Sequence, residues 1–160
     1  MRRASVLLPG FFEIAKQTCL NTLVTSELGA SAGLNLYWDH FSYQFGDVAW
    51  GAQEADVMLT PEVEGTLPDP AALIVRSRAA CDLNPVDIQQ AAEREKLISY
   101  LWPDQSERIQ KTEAAIAFAA SQGDQIVRSD AVDWLKDRLS VCHEGAVHVC
   151  LLYTSPSPRD

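Results

Sequence analysis

Apolar and polar positions change period several times along the chain, and each change marks an element. Residues 4 to 18 repeat apolar positions three and four apart, interrupted by Pro9, Glu13 and Lys16, which predicts an amphipathic helix kinked at Pro9. The run from Thr22 to Leu28 is short and rich in β-branched residues, the pattern of a buried strand. Small residues fill positions 29 to 33, and Leu34, Leu36, Tyr37 and Trp38 then open a helix expected from about Gly33 to Phe41. A second strand-like run covers Leu73 to Cys81. The helix expected from about Val86 to Leu101 stops at Trp102-Pro103, because proline has no N–H to continue it. Asp104 and Glu107 have the spacing of a capping-box variant that starts a helix to about Gln122, ended by Gly123. Within that helix Ile109, Thr112, Ile116 and Ala119 recur as a core face. Gln125 to Arg128, Ala131 to Leu139 and Ala146 to Val149 read as strand, helix and strand.

Strands alternating with helices predict an α/β fold: a Rossmann-like parallel sheet with helices on both faces, incomplete, in strand order 3-2-1-4. Residues 42–72 carry Gly51, Pro61, Gly65, Pro68 and Pro70 and are expected to be an irregular insertion between the first two strands. With 47% hydrophobic content, 160 residues bury one core, fitting one domain or a piece of a larger one. The net charge of -9 argues against a nucleic-acid partner, which needs clustered Lys and Arg. No stretch approaches the roughly 20 apolar residues of a membrane span, and no Ala-x-Ala site follows the first apolar run, so neither a membrane anchor nor a signal peptide is expected. Four cysteines without a C-x-x-C pair fit a reducing compartment, and the cytoplasm is the expected location. Cys142, His143, His148 and Cys150 do not suggest a metal site, because the adjacent pair cannot easily aim both side chains at one ion.

The chemistry concentrates after the first strand. Strand, glycine loop and helix is the order in which a nucleotide-binding sheet presents backbone N–H groups to its ligand. In Glu27-Leu28-Gly29-Ala30-Ser31-Ala32-Gly33, glycines at 29 and 33 permit positive φ or close backbone approach, and Ser31 stays small enough for a ligand to lie over the loop. A dinucleotide G-x-G-x-x-G would need glycine at positions 31 and 34, which are Ser31 and Leu34. A tight strand-to-helix turn explains the loop equally well. Asp82 stands where the second strand ends, in a position to accept from both hydroxyls of a ribose. Its distance from Gly33 exceeds the roughly 20 residues of a minimal nucleotide-binding unit, so the insertion is required. Asp47 is better spaced but sits in a turn-forming context. Asp130 ends the third strand, where it can also cap the following helix. Trp102 is expected in the core or under a lid, and no histidine has the spacing of a catalytic base.

The loop is similar to the acid-x-Gly-x-Gly-x-Gly motif of Rossmann-like S-adenosylmethionine methyltransferases, with Ser31 in place of the middle glycine. That resemblance implies S-adenosylmethionine as cofactor, held by Glu27, Gly29, Ser31 and Gly33, with Asp82 on the ribose and Asp130 on the adenine amino group. The methyl acceptor would be a small molecule or a protein. A binding module that has lost catalysis, or another nucleotide-dependent enzyme on the same fold, are the alternatives. Across Arg2 to Val149, the stretches RRASVLLPGF, ELGASAGLNLYWDHFSYQFGD, DLNPVD, YLWPDQSERI and DAVDWL resemble a bacterial family called domain of unknown function 2332. The resemblance implies a central segment of a longer domain, inactive by itself, with any catalytic residues lying beyond the last strand.

Residues 150–160, CLLYTSPSPRD, break the last strand with a Ser/Pro tail. Read back through the genetic code they resemble the transposase adapter of tagmentation libraries along their whole length. The expectation is a native segment ending near Val149, followed by a non-native tail.

Overall fold

The computed structural model describes residues 2–123 and 125–152. Helix α1, Arg2–Thr18, runs through Pro9 without interruption. It turns Ala4, Leu8, Phe11, Phe12 and Ala15 inward, the spacing that places side chains on one helical face. Strand β1, Thr22–Leu28, is buried from Leu23 onward because it is the middle of a sheet covered on both sides. It pairs in parallel with β5, Ile74–Asp82, on one side and with β7, Val147–Leu152, on the other. A two-residue strand β6, Val127–Arg128, extends the sheet beyond β5, again in parallel, giving the order β6-β5-β1-β7.

One face of β1 carries Leu23, Thr25 and Glu27. Leu23, Ala80 and Leu151 join a core with Leu8 and Phe11 of α1, Trp38, and Ile116 of helix α3, Ser106–Gln122. Each large apolar side chain buried there contributes about 1.5–3 kcal/mol of transfer free energy. The other face, with Val24, Ser26 and Leu28, meets helix α4, Ala131–Leu139, through Arg138. Between β1 and β5 the chain makes a 3-10 helix, Leu34–His40, and then a separate small sheet. That sheet is built from β2, Ser42–Phe45, β3, Val48–Trp50, and β4, Met58–Leu59, in the order β3-β2-β4. Trp38 stacks between Phe11, 4.3 Å away, and Trp50, 5.7 Å away, and so fastens this insertion to α1. Arg78 of β5 anchors the 3-10 helix, donating to both carboxylate oxygens of Asp39 at 2.8 and 2.9 Å and to the Leu36 carbonyl at 2.7 Å.

Several expected details differ. The helix after the glycine loop is 3-10, with Tyr37 at non-helical φ/ψ in its middle. Part of the insertion expected to be irregular is ordered as the small sheet. Helix α2, Ala91–Ser99, begins five residues later than its pattern predicts. Asp87 holds the preceding residues in a turn, its carboxylate accepting from the Gln89 N–H and from Gln90 Nε2. The capping box at the start of α3 does not form: the N-cap is Gln105, and Glu107 pairs instead with Lys111 at 2.6 Å, one turn on. The buried stripe of α3 is Ala115, Ile116 and Ala119, so Ile109 and Thr112 sit at its edge. Trp102 is 73% exposed rather than in the core. The last strand does not stop at Val149: it continues through Cys150, Leu151 and Leu152, and Leu151 is buried. Strand pairing is a backbone property, so the register with β1 runs on to Leu28↔Leu152. The rest of the expected non-native tail, residues 153–160, lies outside the described residues. Among the described residues no helix is long and apolar enough to cross a membrane.

Candidate functional site

The first three strands of the parallel sheet end side by side, and the residues singled out from the sequence stand at those ends. β1 carries Glu27 into the interior, 1% exposed, where Asn35 Nδ2 donates to its Oε1 at 3.3 Å. A buried carboxylate is tolerated only with such donors, because desolvating an unpartnered charge is costly. Asn35 comes from the 3-10 helix, so the loop that separates them is folded back over the strand end.

That loop turns tightly through left-handed backbone at Gly29 (φ 68), Ser31 (φ 55) and Gly33 (φ 66). Ser31 holds this conformation at a cost of roughly 1 kcal/mol for a residue with a Cβ. The two glycines differ. A Cβ on Gly29 would meet nothing within 4 Å, whereas one on Gly33 would lie 2.4 Å from Cδ1 of Ile126. Gly33 is therefore explained by packing between the loop and the segment entering β6, while Gly29 leaves open surface.

The N–H groups expected to face a ligand are engaged within the protein. Gly29 and Ala30 both donate to the Cys81 carbonyl, at 2.9 and 3.2 Å, and Gly33 donates to the Ala30 carbonyl at 2.8 Å. Ser31 N–H donates to Oδ2 of Asp82 at 2.7 Å. Asp82 Oδ1 accepts from the Asn84 N–H at 2.8 Å, so this carboxylate clamps the loop after β1 to the loop after β5. Each oxygen retains a second lone pair, which is what a ribose hydroxyl could use. One strand further, the Ser129 N–H donates to the Asp82 carbonyl at 3.1 Å, and Asp130 caps α4 through bonds from Val132 and Asp133 N–H. Arg128, the register partner of Asp82, is exposed at the same strand end. Asp47 lies in the turn between β2 and β3, on the separate sheet.

Cys81 sits directly behind the loop. Burial raises its thiol above the ordinary value; the Gly29 hydrogen bond lowers it, and Asp82, Cys150 and Asp130 raise it further. It is an inert buried thiol rather than a nucleophile. Two cavities among the described residues lie elsewhere. One, about 1110 Å³, is lined by residues such as Pro9, Leu59, Glu62 and Lys111, and the other, about 740 Å³, lies between α2 and α3.

A family model described as an uncharacterised protein conserved in bacteria, DUF2332, matches residues 1–155. The chain belongs to the DUF2332 family. The DUF2332 match runs beyond Val149, into the stretch expected to be a non-native tail. The chain matched no curated protein and no solved structure. Membership in DUF2332 brings no reaction with it, so a functional reading rests on the site itself.

Sequence reasoning assigned no role to Asn35, Ser26 or Arg138, and it weighed His148 only as a metal ligand or a catalytic base and set both aside. Asn35 could have been found, since it lies eight residues from Glu27 in a segment already expected to fold over the loop. The Ser26 to His148 contact spans 122 residues and leaves no local signature.

Proposed function

We propose that this chain forms part of a Rossmann-like domain that binds S-adenosylmethionine, the complete domain transferring its methyl group to a small-molecule or protein acceptor. One observation carries the reading: the Gly29 to Gly33 turn lies where the strand order reverses. From β1 the chain moves outward to β5 and β6, then returns to place β7 on the other side of β1. Counted in chain order the sheet reads 3-2-1-4, and open parallel sheets take their ligands in the crevice at such a reversal, outside the carboxyl ends of the strands.

The charges there support this cofactor over a dinucleotide. Glu27, Asp82 and Asp130 are three carboxylates at adjacent strand ends, and they suit hydroxyls and a cationic sulfonium better than a pyrophosphate. Gly29 and Ser31 would lie beneath the ligand, Glu27 would hold the loop through Asn35, Asp82 would accept from the ribose and Asp130 would lie toward the base. The cofactor supplies an activated methyl group, and the chain's task is to hold and orient it.

Calorimetric titration of a protein carrying the whole family domain with S-adenosylmethionine and with its demethylated product tests the reading. Saturable binding of both is expected. An absence of binding at millimolar ligand overturns it, and tighter binding of NAD replaces it with another nucleotide-dependent chemistry. Binding without transfer to any acceptor, in a protein carrying the whole family domain, identifies a binding module instead.

A further inference from the structure

On the sheet face opposite Glu27, polar side chains converge beneath α4. Arg138, from the last turn of α4, donates through Nε to Ser26 Oγ at 3.1 Å and through Nη2 to Ser77 Oγ at 3.0 Å. A guanidinium cannot accept, so both serine oxygens act as acceptors in these bonds. Ser26 is fully buried, and its own hydroxyl hydrogen is left for its other contact, His148 Nε2 at 2.7 Å. With Nε2 accepting that hydrogen, His148 is neutral and carries its proton on Nδ1.

Two features of this cluster are unbalanced. A guanidinium has five N–H donors, and Arg138 spends two of them on the serines. No carboxylate pairs with Arg138 among the described residues, although the chain carries 22 acidic side chains against 13 basic ones. The second feature is His143, in the loop before β7. Its ring lies 6.2 Å from that of His148, and its Nε2 is buried with no hydrogen-bond partner. The groups around His148 are thus Ser26 from β1, Ser77 from β5, Arg138 from α4, His143, and the Cys150 thiol two residues along β7. Burial first, then Arg138 and His143, hold His148 below the ordinary imidazole value. A half-buried cation with spare donors and no counter-charge is costly, and an anion offsets that cost.

We propose that Arg138, His143 and His148 form a binding site for a tetrahedral oxyanion of the phosphoryl class. The three side chains come from a helix, a loop and a strand rather than from one plane, which suits a tetrahedral group, whereas a planar carboxylate would use the Arg138 fork alone. The site faces α4, on the opposite side of the sheet from Glu27, and does not depend on the cofactor reading.

The test is titration of the chain with inorganic phosphate at constant ionic strength, observed through the imidazole resonances. Saturable shifts of His143 and His148 are expected, with His40 unmoved and the pKa of His148 raised by the bound anion. Arg138→Gln should weaken binding by about tenfold or more, and His143→Gln should weaken it while leaving the Arg138–Ser26–His148 contacts in place. Tighter binding of phenyl phosphate than of phosphate assigns the site to an organic phosphomonoester, and the reverse assigns it to the free ion. Equal shifts with sodium chloride, no saturation at tens of millimolar phosphate, or unchanged binding in Arg138→Gln overturns the proposal. Should Arg138→Gln fail to fold, parental phosphate affinity in His143→Gln overturns it as well.

Discussion

Replacing Asp82 by alanine removes one acceptor group from two peptide N–H donors at once, those of Ser31 and Asn84. Hydrogen bonds to a charged acceptor are worth about 1.5–3 kcal/mol each. Asp82 is only half-buried, so water replaces part of what is lost, and the low end applies: about 3 kcal/mol for the pair. For a chain of this size that lowers the melting temperature by roughly 6–12 °C. Asp82→Asn retains one acceptor oxygen but points its amide donor at the other N–H, so it loses one bond and gains a donor facing a donor. A cost of about 1.5–3 kcal/mol is expected, close to that of alanine despite the nearly unchanged shape. Urea unfolding followed by tryptophan fluorescence measures both variants. The ligand role adds a separate expectation: a ribose bond lost from folded protein weakens S-adenosylmethionine binding roughly tenfold to a few hundredfold. If Asp82→Ala unfolds at the parental urea midpoint, the carboxylate does not clamp the two loops. If stability falls as calculated while affinity is unchanged, the clamp stands and the ribose site lies elsewhere.

Two further predictions concern the loop and the opposite sheet face. Gly29→Ala should cost about 1–2 kcal/mol, the strain of left-handed backbone with open space around the Cβ. Gly33→Ala should cost about 1 kcal/mol more, the low end of overpacking because the atom met is the free end of the Ile126 side chain, and the excess should vanish in Gly33→Ala with Ile126→Ala; equal costs for the two single variants would refute the packing role of Gly33. For His148 the folded-state pKa lies below its ordinary value, so the unfolded chain binds the extra proton first as the solution is acidified. Stability is fully present above about pH 6.5 and declines as the pH falls through the folded value, and His148→Gln should flatten that limb of a plot of unfolding free energy against pH; an unchanged limb would refute the neutral Ser26–His148 pair.

The linear pattern was enough to determine the elements whose formation depends on near neighbours. Apolar spacing around Leu8, Phe11 and Ala15 specifies α1, the β-branched run ending at Leu28 specifies a buried strand, and Gly123 with φ 74 ends α3 as expected. It also marked Gly29, Ser31 and Asp82, because small residues after a strand and an acid at a strand end are local signals. What each marked residue does was decided by tertiary structure. Gly33 is glycine because Ile126 lies against it, and Asp82 spends both oxygens on N–H groups, one of them 51 residues away. Glu107 had a local partner on either side, the Asp104 N–H before its helix and Lys111 one turn on, and the pattern alone did not say that it pairs with Lys111. The union of Ser26, Arg138 and His148 required β1, α4 and β7 to be stacked first. Periodicity records how much surface a segment must bury. Which donor meets which acceptor depends on where distant segments come to rest, and the sheet order and register determine that.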